Sequence, residues 1–168
     1  GAGLGLGLVH GGQLMRGAFG NAGEIGHIPM PNQSGKLEDA LSRLSVQRHL
    51  QKAGKDARDV DALAQLFQQS DPDLLSWLGT ANTALGHAMA IVENVFDPQT
   101  IVLGGAMPDE ILDHLVEHAP LPELSVSNRP QAPHPRLMRG ASGRMTATLG
   151  AAALILNRAL SSPISHAH

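Results

Sequence analysis

An alternation of glycine and leucine near the start of the chain restricts the fold more than any other feature. Residues 3–8 read Gly-Leu-Gly-Leu-Gly-Leu, so an extended strand there carries glycine on one face and leucine on the other. We expect the leucine face to be buried and the glycine face to admit a second backbone or a ligand at close range. The turn His10-Gly11-Gly12-Gln13 then predicts a hairpin that continues into residues 14–16.

Helical and extended patterns alternate along the rest of the chain. Glycine and proline predict loops over residues 17–35 and 119–136, the second of them exposed. The first helix is expected from residue 36, with a buried face formed by Leu37, Ala40, Leu41 and Leu44. Further predicted elements are helices over 58–69, 73–95, 109–118 and 144–160, strands over 99–103 and 136–138, and a disordered tail over 161–168. Strand, glycine turn and helix in succession are typical of an α/β fold.

The helix predicted over residues 73–95 has the clearest pattern in the chain. Its apolar stripe runs without a break from Leu74 to Val95, and Asp71 or Asp73 lies where a capping residue is expected. We therefore expect this helix to form the centre of the hydrophobic core.

Composition excludes several classes of protein. The 168 residues suit a single domain with its own core, and the net charge of -3 without a stripe of Lys or Arg argues against nucleic-acid binding through this segment. The absence of Cys excludes disulfides and thiolate zinc sites and favours a reducing cytoplasm. The longest apolar stretch, residues 149–156, is far shorter than the roughly 20 residues of a membrane helix, so no membrane association is expected.

The first residues also bear on how much of a protein the chain represents. The sequence opens directly in the predicted strand, without an initiator Met. We therefore expect a fragment of a longer protein, in which any function that needs two lobes is only half represented.

The glycines of this first region carry a specific resemblance. Residues 3–8, then Gly17, Gly23 and the pair Gly26-His27, resemble the signature of the ROK family, the repressors and sugar kinases of the actin-like ATPase superfamily. Residues 97–105 resemble the strand and turn of the family's adenosine side, and residues 149–152 resemble its closing helix. The resemblance implies a ribonuclease-H-like lobe, a mixed sheet with packed helices, and residues 1–168 as the C-terminal sugar-recognition lobe of a ROK protein.

The resemblance also implies site residues. Glu24, His27 and Glu38 match the family's sugar contacts, which suits a hexose or amino sugar because carboxylates and an imidazole pair with neighbouring hydroxyls. Without the resemblance, Glu24 and His27 are ordinary loop residues, and Glu38 is an acid near a helix start. If the parent is a kinase, Gly1, Gly3, Gly104 and Gly105 are expected to contact ATP, with magnesium; Gly104 and Gly105 equally suit a tight turn.

Other features limit the chemistry expected of this chain. The family's general-base Asp lies upstream of Gly1, so no catalytic residue is expected here. No Gly-x-Gly-x-x-Gly or Gly-Lys-Ser/Thr motif is present. His114 and His118 have the spacing of a metal pair but lack a third ligand nearby in sequence, so we expect a solvated helix face.

Two departures from the family pattern affect the choice of function. Residues 28–34 lack the Cys ligands with which the family's Gly-His histidine holds zinc, so no metal is expected at His27. Ala2 stands where kinase members usually place a phosphate-side Thr. These departures favour a sugar-responsive transcriptional regulator, homo-oligomeric, that contacts DNA through upstream helices. The alternatives are a fragment of an ATP-dependent sugar kinase and an oligomerisation domain without a ligand.

Overall fold

The structure, a computed structural model, describes residues 3–31 and 34–140. The helix predicted over 144–160 and the predicted tail lie outside these residues. The strands are β1 (Val9–His10), β2 (Gln13–Leu14), β3 (Ile101–Leu103) and β4 (Leu137–Arg139). The helices are α1 (Leu37–Ala40), α2 (Arg43–Lys52), α3 (Val60–Gln68), α4 (Pro72–Phe96) and α5 (Asp109–Glu117), with one 3₁₀ turn at Ile25–His27. None of the helices in the described ranges is both long enough and apolar enough to cross a membrane.

Helix α4 forms the centre of the core, as predicted. The Asp71 carboxylate caps its first turn by accepting from the backbone N–H groups of Asp73 and Leu74, at 3.1 and 3.2 Å. The predicted stripe is buried from Leu74 to Val92, but Val95 is 65% exposed. Residues 94–96 are all exposed, so the last turn extends beyond the core and the stripe ends one turn earlier than predicted.

The helix predicted from residue 36 is broken in two. Ser42 and Ser45 exchange hydrogen bonds at the start of α2, each backbone N–H donating to the other's hydroxyl at 3.0 Å. The break turns α2 relative to α1, so Val46 is buried, whereas Leu44 is exposed and was wrongly placed on the buried face. The Ser45 hydroxyl also accepts from the indole N–H of the buried Trp77 at 3.0 Å, which ties α2 to α4.

The glycine–leucine stretch forms less strand than predicted. Within the described part of the chain, its strand is limited to Val9–His10, which pairs antiparallel with Gln13–Leu14 through a turn with positive φ at Gly11 and Gly12. The hairpin prediction is therefore confirmed. Leu4, Leu6 and Leu8 are half-buried rather than fully buried, and residues 3–8 form no strand in the described part of the chain.

The second sheet joins parts of the chain that are far apart in sequence. Strands β3 and β4 are parallel, with Ile101 opposite Leu137. The segment between α5 and β4 is mostly exposed, as predicted, but it is anchored at Ser125 and Ser127, which are buried, and at Arg136. The Arg136 guanidinium donates to both Glu93 carboxylate oxygens, at 2.8 and 2.6 Å.

Glu93 is fully buried on α4, so its charge depends on that partner. Burial by itself opposes ionisation of the Glu93 carboxyl, but the hydrogen bonds from Arg136 lower its pKa below the ordinary value. The pair is therefore ionised in the folded protein at neutral pH, and it fastens the loop before β4 to the central helix.

Candidate functional site

Three segments converge at the predicted sugar residues. The backbone N–H of Leu6 donates to the Gly23 carbonyl at 2.8 Å, and that of Leu37 donates to the Ile28 carbonyl at 2.9 Å. Gly26 has no room for a side chain, because a Cβ there would overlap the Leu4 carbonyl oxygen. Residues 3–6, 23–28 and 36–38 are thus held together by their backbones.

The structure brings Glu24, His27 and Glu38 onto one face, together with a residue that the sequence prediction missed. Lys36 Nζ lies 2.7 Å from Glu38 Oε1 and 3.4 Å from His27 Nδ1, and His27 Nε2 lies 3.8 Å from Glu24 Oε2. We call these four residues the polar cluster. Only its position two residues before Glu38 could have suggested Lys36 from the sequence, because its contact with His27 depends on the backbone bridge to Pro29.

The polar cluster is open to solvent and carries opposite charges. The side chains of Glu24 and His27 are 61% and 62% exposed, whereas that of Glu38 is 26% exposed. The hydrogen bond from Lys36 lowers the pKa of the Glu38 carboxyl, and the same contact raises the pKa of Lys36. Two carboxyl groups and an imidazole thus stand side by side, an arrangement that can pair with hydroxyl groups.

The glycines predicted on the nucleotide side also meet. Gly3, Gly104 and Gly105 line one cavity of about 80 Å³ between the start of the described chain, α2 and the turn after β3. Gly1 lies outside the described residues. The cavity adjoins the polar cluster, because a Cβ built on Gly3 would lie 3.0 Å from Glu38 Oε2. The two sets of predicted contacts are therefore neighbours in space.

Arg43 lines the same cavity and was not singled out from the sequence. Its Nη2 donates to the Ala57 carbonyl at 2.5 Å, and its buried Nη1 lacks a hydrogen-bond partner within the described residues. Burial lowers the pKa of the Arg43 guanidinium. The side chain connects the cavity wall to the loop before α3.

The residues around His27 do not fit a metal ion. The nitrogen closest to Lys36 faces an ammonium group, which would repel a divalent cation. Across residues 3–31 and 34–140, no group of three or more His, Cys, Asp or Glu side chains could hold one. His114 and His118 stack with ring centroids 4.1 Å apart; His118 is exposed, but His114 is half-buried, so the predicted solvated face is only partly correct.

Comparison with known proteins identifies the family. Residues 1–158 match the family model described as "ROK family". The chain belongs to the ROK family. It is 35% identical over 122 residues to the bifunctional enzyme NanE/NanK of Brucella melitensis biotype 1, a match that covers 69% of this chain and 23% of that enzyme. The uncharacterized protein y4fQ of Sinorhizobium fredii is 32% identical over 120 residues, 70% of this chain and 29% of its own.

Solved structures extend the likeness to the fold. The ROK hexokinase of Thermus thermophilus matches with a TM-score of 0.67 and 26% identity, over 96% of this chain and 56% of that one. A ROK glucokinase of Streptomyces griseus, solved with glucose and AMPPNP, matches with a TM-score of 0.62 and 21% identity, over 92% and 56%. The predicted α/β fold of the actin-like ATPase type is confirmed. The chain spans about a quarter of the curated relatives' length and about half of these structures' length.

Proposed function

We propose that this chain is the C-terminal, sugar-recognising lobe of an ATP-dependent sugar kinase. The observation that carries the proposal is the adjacency of the polar cluster and the glycine-lined cavity, since phosphoryl transfer needs a sugar and a nucleotide side by side. The named relatives include a hexokinase and a glucokinase, which supports the kinase alternative over the regulator that the sequence favoured.

In this proposal Glu24, His27 and Glu38 bind the hydroxyls of a hexose or amino sugar. Each sugar hydroxyl both donates and accepts, so carboxylate oxygens and an imidazole can pair with adjacent positions of the ring. A sugar that lacked one of these hydroxyls would leave a charged partner unpaired, which is the physical basis of discrimination.

Gly3, Gly104 and Gly105 would then lie on the nucleotide side. Glycine allows the phosphate or adenosine part of ATP to approach the backbone closely, and magnesium would neutralise charge on the phosphates when bound with them. Three of the residues that line the cavity are glycines, which leave the backbone accessible, and most of the others are apolar. Two observations favour a regulator: residues 28–34 contain no Cys, and Ala2 offers a methyl group instead of a hydroxyl.

The test is a phosphoryl-transfer assay on the longer protein that carries this sequence. With ATP, magnesium and a panel of hexoses and amino sugars, we expect sugar-dependent formation of ADP and sugar phosphate. The 168-residue chain alone should give none, because it spans 56% of the length of the matched hexokinase. Absence of transfer by the longer protein, together with sugar-dependent DNA binding, would establish the regulator instead.

A further inference from the structure

Lys36 is held in place by the backbone around it. It lies opposite Pro29 in an isolated antiparallel bridge, and the next residue, Leu37, donates its N–H to the Ile28 carbonyl at 2.9 Å. The Lys36 N–H donates to the Asp39 carboxylate at 3.1 Å. This strand-like pairing places the Lys36 side chain beside His27.

The contact with His27 has a defined direction. A lysine ammonium has three donors and no acceptor, so His27 Nδ1, at 3.4 Å, can only accept from it. In a neutral imidazole the proton then resides on Nε2, the nitrogen that faces Glu24. A second ammonium hydrogen is directed at Glu38 Oε1, at 2.7 Å, which keeps the lysine between the two side chains.

We propose that Lys36 is a positioning residue that fixes the ring and the tautomer of His27, so that Nε2–H is presented as a hydrogen-bond donor. Its effect on sugar affinity rests on the proposed function; its effect on His27 does not.

The alternative is that Lys36 serves only as a counter-ion for Glu38. Both roles predict that loss of the lysine disturbs Glu38, so Glu38 does not separate them. Only the positioning role predicts a change at the His27 ring nitrogens. The decisive measurement must therefore observe those nitrogens directly.

Nitrogen-15 NMR of the imidazoles in the 168-residue chain provides this measurement. At about pH 8.5 an imidazole with an ordinary pKa is neutral, and the two ring nitrogens then give distinct resonances for the protonated and the accepting atom. The His27 signals are identified by their loss in His27→Gln. We expect Nδ1 as the acceptor and Nε2 as the protonated nitrogen, and a wild-type spectrum with Nδ1 protonated would overturn the proposal without any variant at Lys36.

Three variants complete the test. Lys36→Met should shift the His27 Nδ1 resonance towards that of an imidazole free of a hydrogen bond, whereas Lys36→Arg, which keeps a cationic donor, should retain the wild-type pattern. Lys52→Met removes an exposed lysine on α2 and should leave His27 unchanged. Identical His27 resonances in Lys36→Met and wild type would contradict the positioning role.

Sugar titration of the longer protein separates this proposal from the function on which it draws. If both hold, Lys36→Met weakens sugar binding several-fold and Lys36→Arg binds close to wild type. If the His27 resonances move but sugar affinity does not, Lys36 positions His27 and the assignment of the polar cluster to sugar is wrong.

Discussion

Two ion pairs of this molecule differ in how far water reaches their side chains. The Glu93–Arg136 pair has side chains that are 1% and 15% exposed, whereas the Glu38–Lys36 pair is 26% and 37% exposed. The buried pair binds a loop to the central helix, and its Glu93 carboxylate is too buried to meet a ligand. The open pair lies beside His27 and can still exchange its partners. Burial therefore separates a structural contact from one available for recognition.

Removal of one member of the buried pair should have the largest effect. Arg136→Met leaves the Glu93 carboxylate buried without its partner, which typically costs about 3 to 5 kcal/mol of unfolding free energy. Denaturant titration of the 168-residue chain measures it. The matched control is Arg129→Met in the same loop, because the pair of Arg129 with Asp97 is half-exposed and should contribute only about 0 to 1 kcal/mol. Equal losses in the two variants would contradict the contrast.

The next largest effect is expected from a substitution in the hydrophobic core. Leu85→Ala, on the buried stripe of α4, should lower the unfolding free energy by about 2 to 5 kcal/mol, because it leaves a cavity. Leu75→Ala is the control, since Leu75 lies on the same helix but is 43% exposed. A thermal melt of Leu85→Ala that matched the control would mean that the stripe is not the core.

Variants of the polar cluster should affect binding and not folding. If the proposed function holds, Glu24→Gln or His27→Ala in the longer protein should weaken sugar binding about tenfold or more, because loss of a hydrogen bond to a charged group costs roughly 1.5 to 3 kcal/mol. Both side chains are more than half exposed, so thermal melts should change little. Calorimetric titration measures the affinity, with Glu110→Gln on α5 as an exposed control. Unchanged sugar affinity in both variants would return Glu24 and His27 to ordinary loop residues.

The buried pair should also give stability a dependence on acid. The pKa of Glu93 is lowered in the folded protein, so its contribution is complete above the ordinary Glu value and is lost as the pH falls through the folded value. Urea titrations at a series of pH values should show this acid-side loss in wild type and a smaller one in Glu93→Gln. An acid limb of the same size in Glu93→Gln would show that other carboxyls account for it.

The last prediction concerns bound metal, and here no signal is expected. Purified protein should contain no stoichiometric zinc, because Lys36 faces the His27 ring and the chain has no Cys. Elemental analysis finding one zinc per chain would require a different account of His27.

Local pattern predicted the core of this protein much better than its site. The spacing of the apolar residues predicted α4 from Leu74 onward, because the buried face of a helix appears in the sequence as apolar residues every three or four positions. The break at Ser42 was missed because reciprocal capping by Ser45 depends on two short polar side chains within an otherwise helical pattern. The proximity of Glu24, His27 and Glu38 came from a family resemblance, and Lys36 escaped notice because its role depends on a backbone bridge to Pro29.

The contact between Trp77 and Ser45 makes the chain its own optical reporter. The sequence has one tryptophan and no tyrosine, so its near-ultraviolet emission comes almost entirely from the indole buried between α2 and α4. The tryptophan emission will therefore change when these two helices separate, and it will be insensitive to opening of the β1–β2 hairpin. A difference between the fluorescence and circular-dichroism transitions would identify which part of the protein unfolds first.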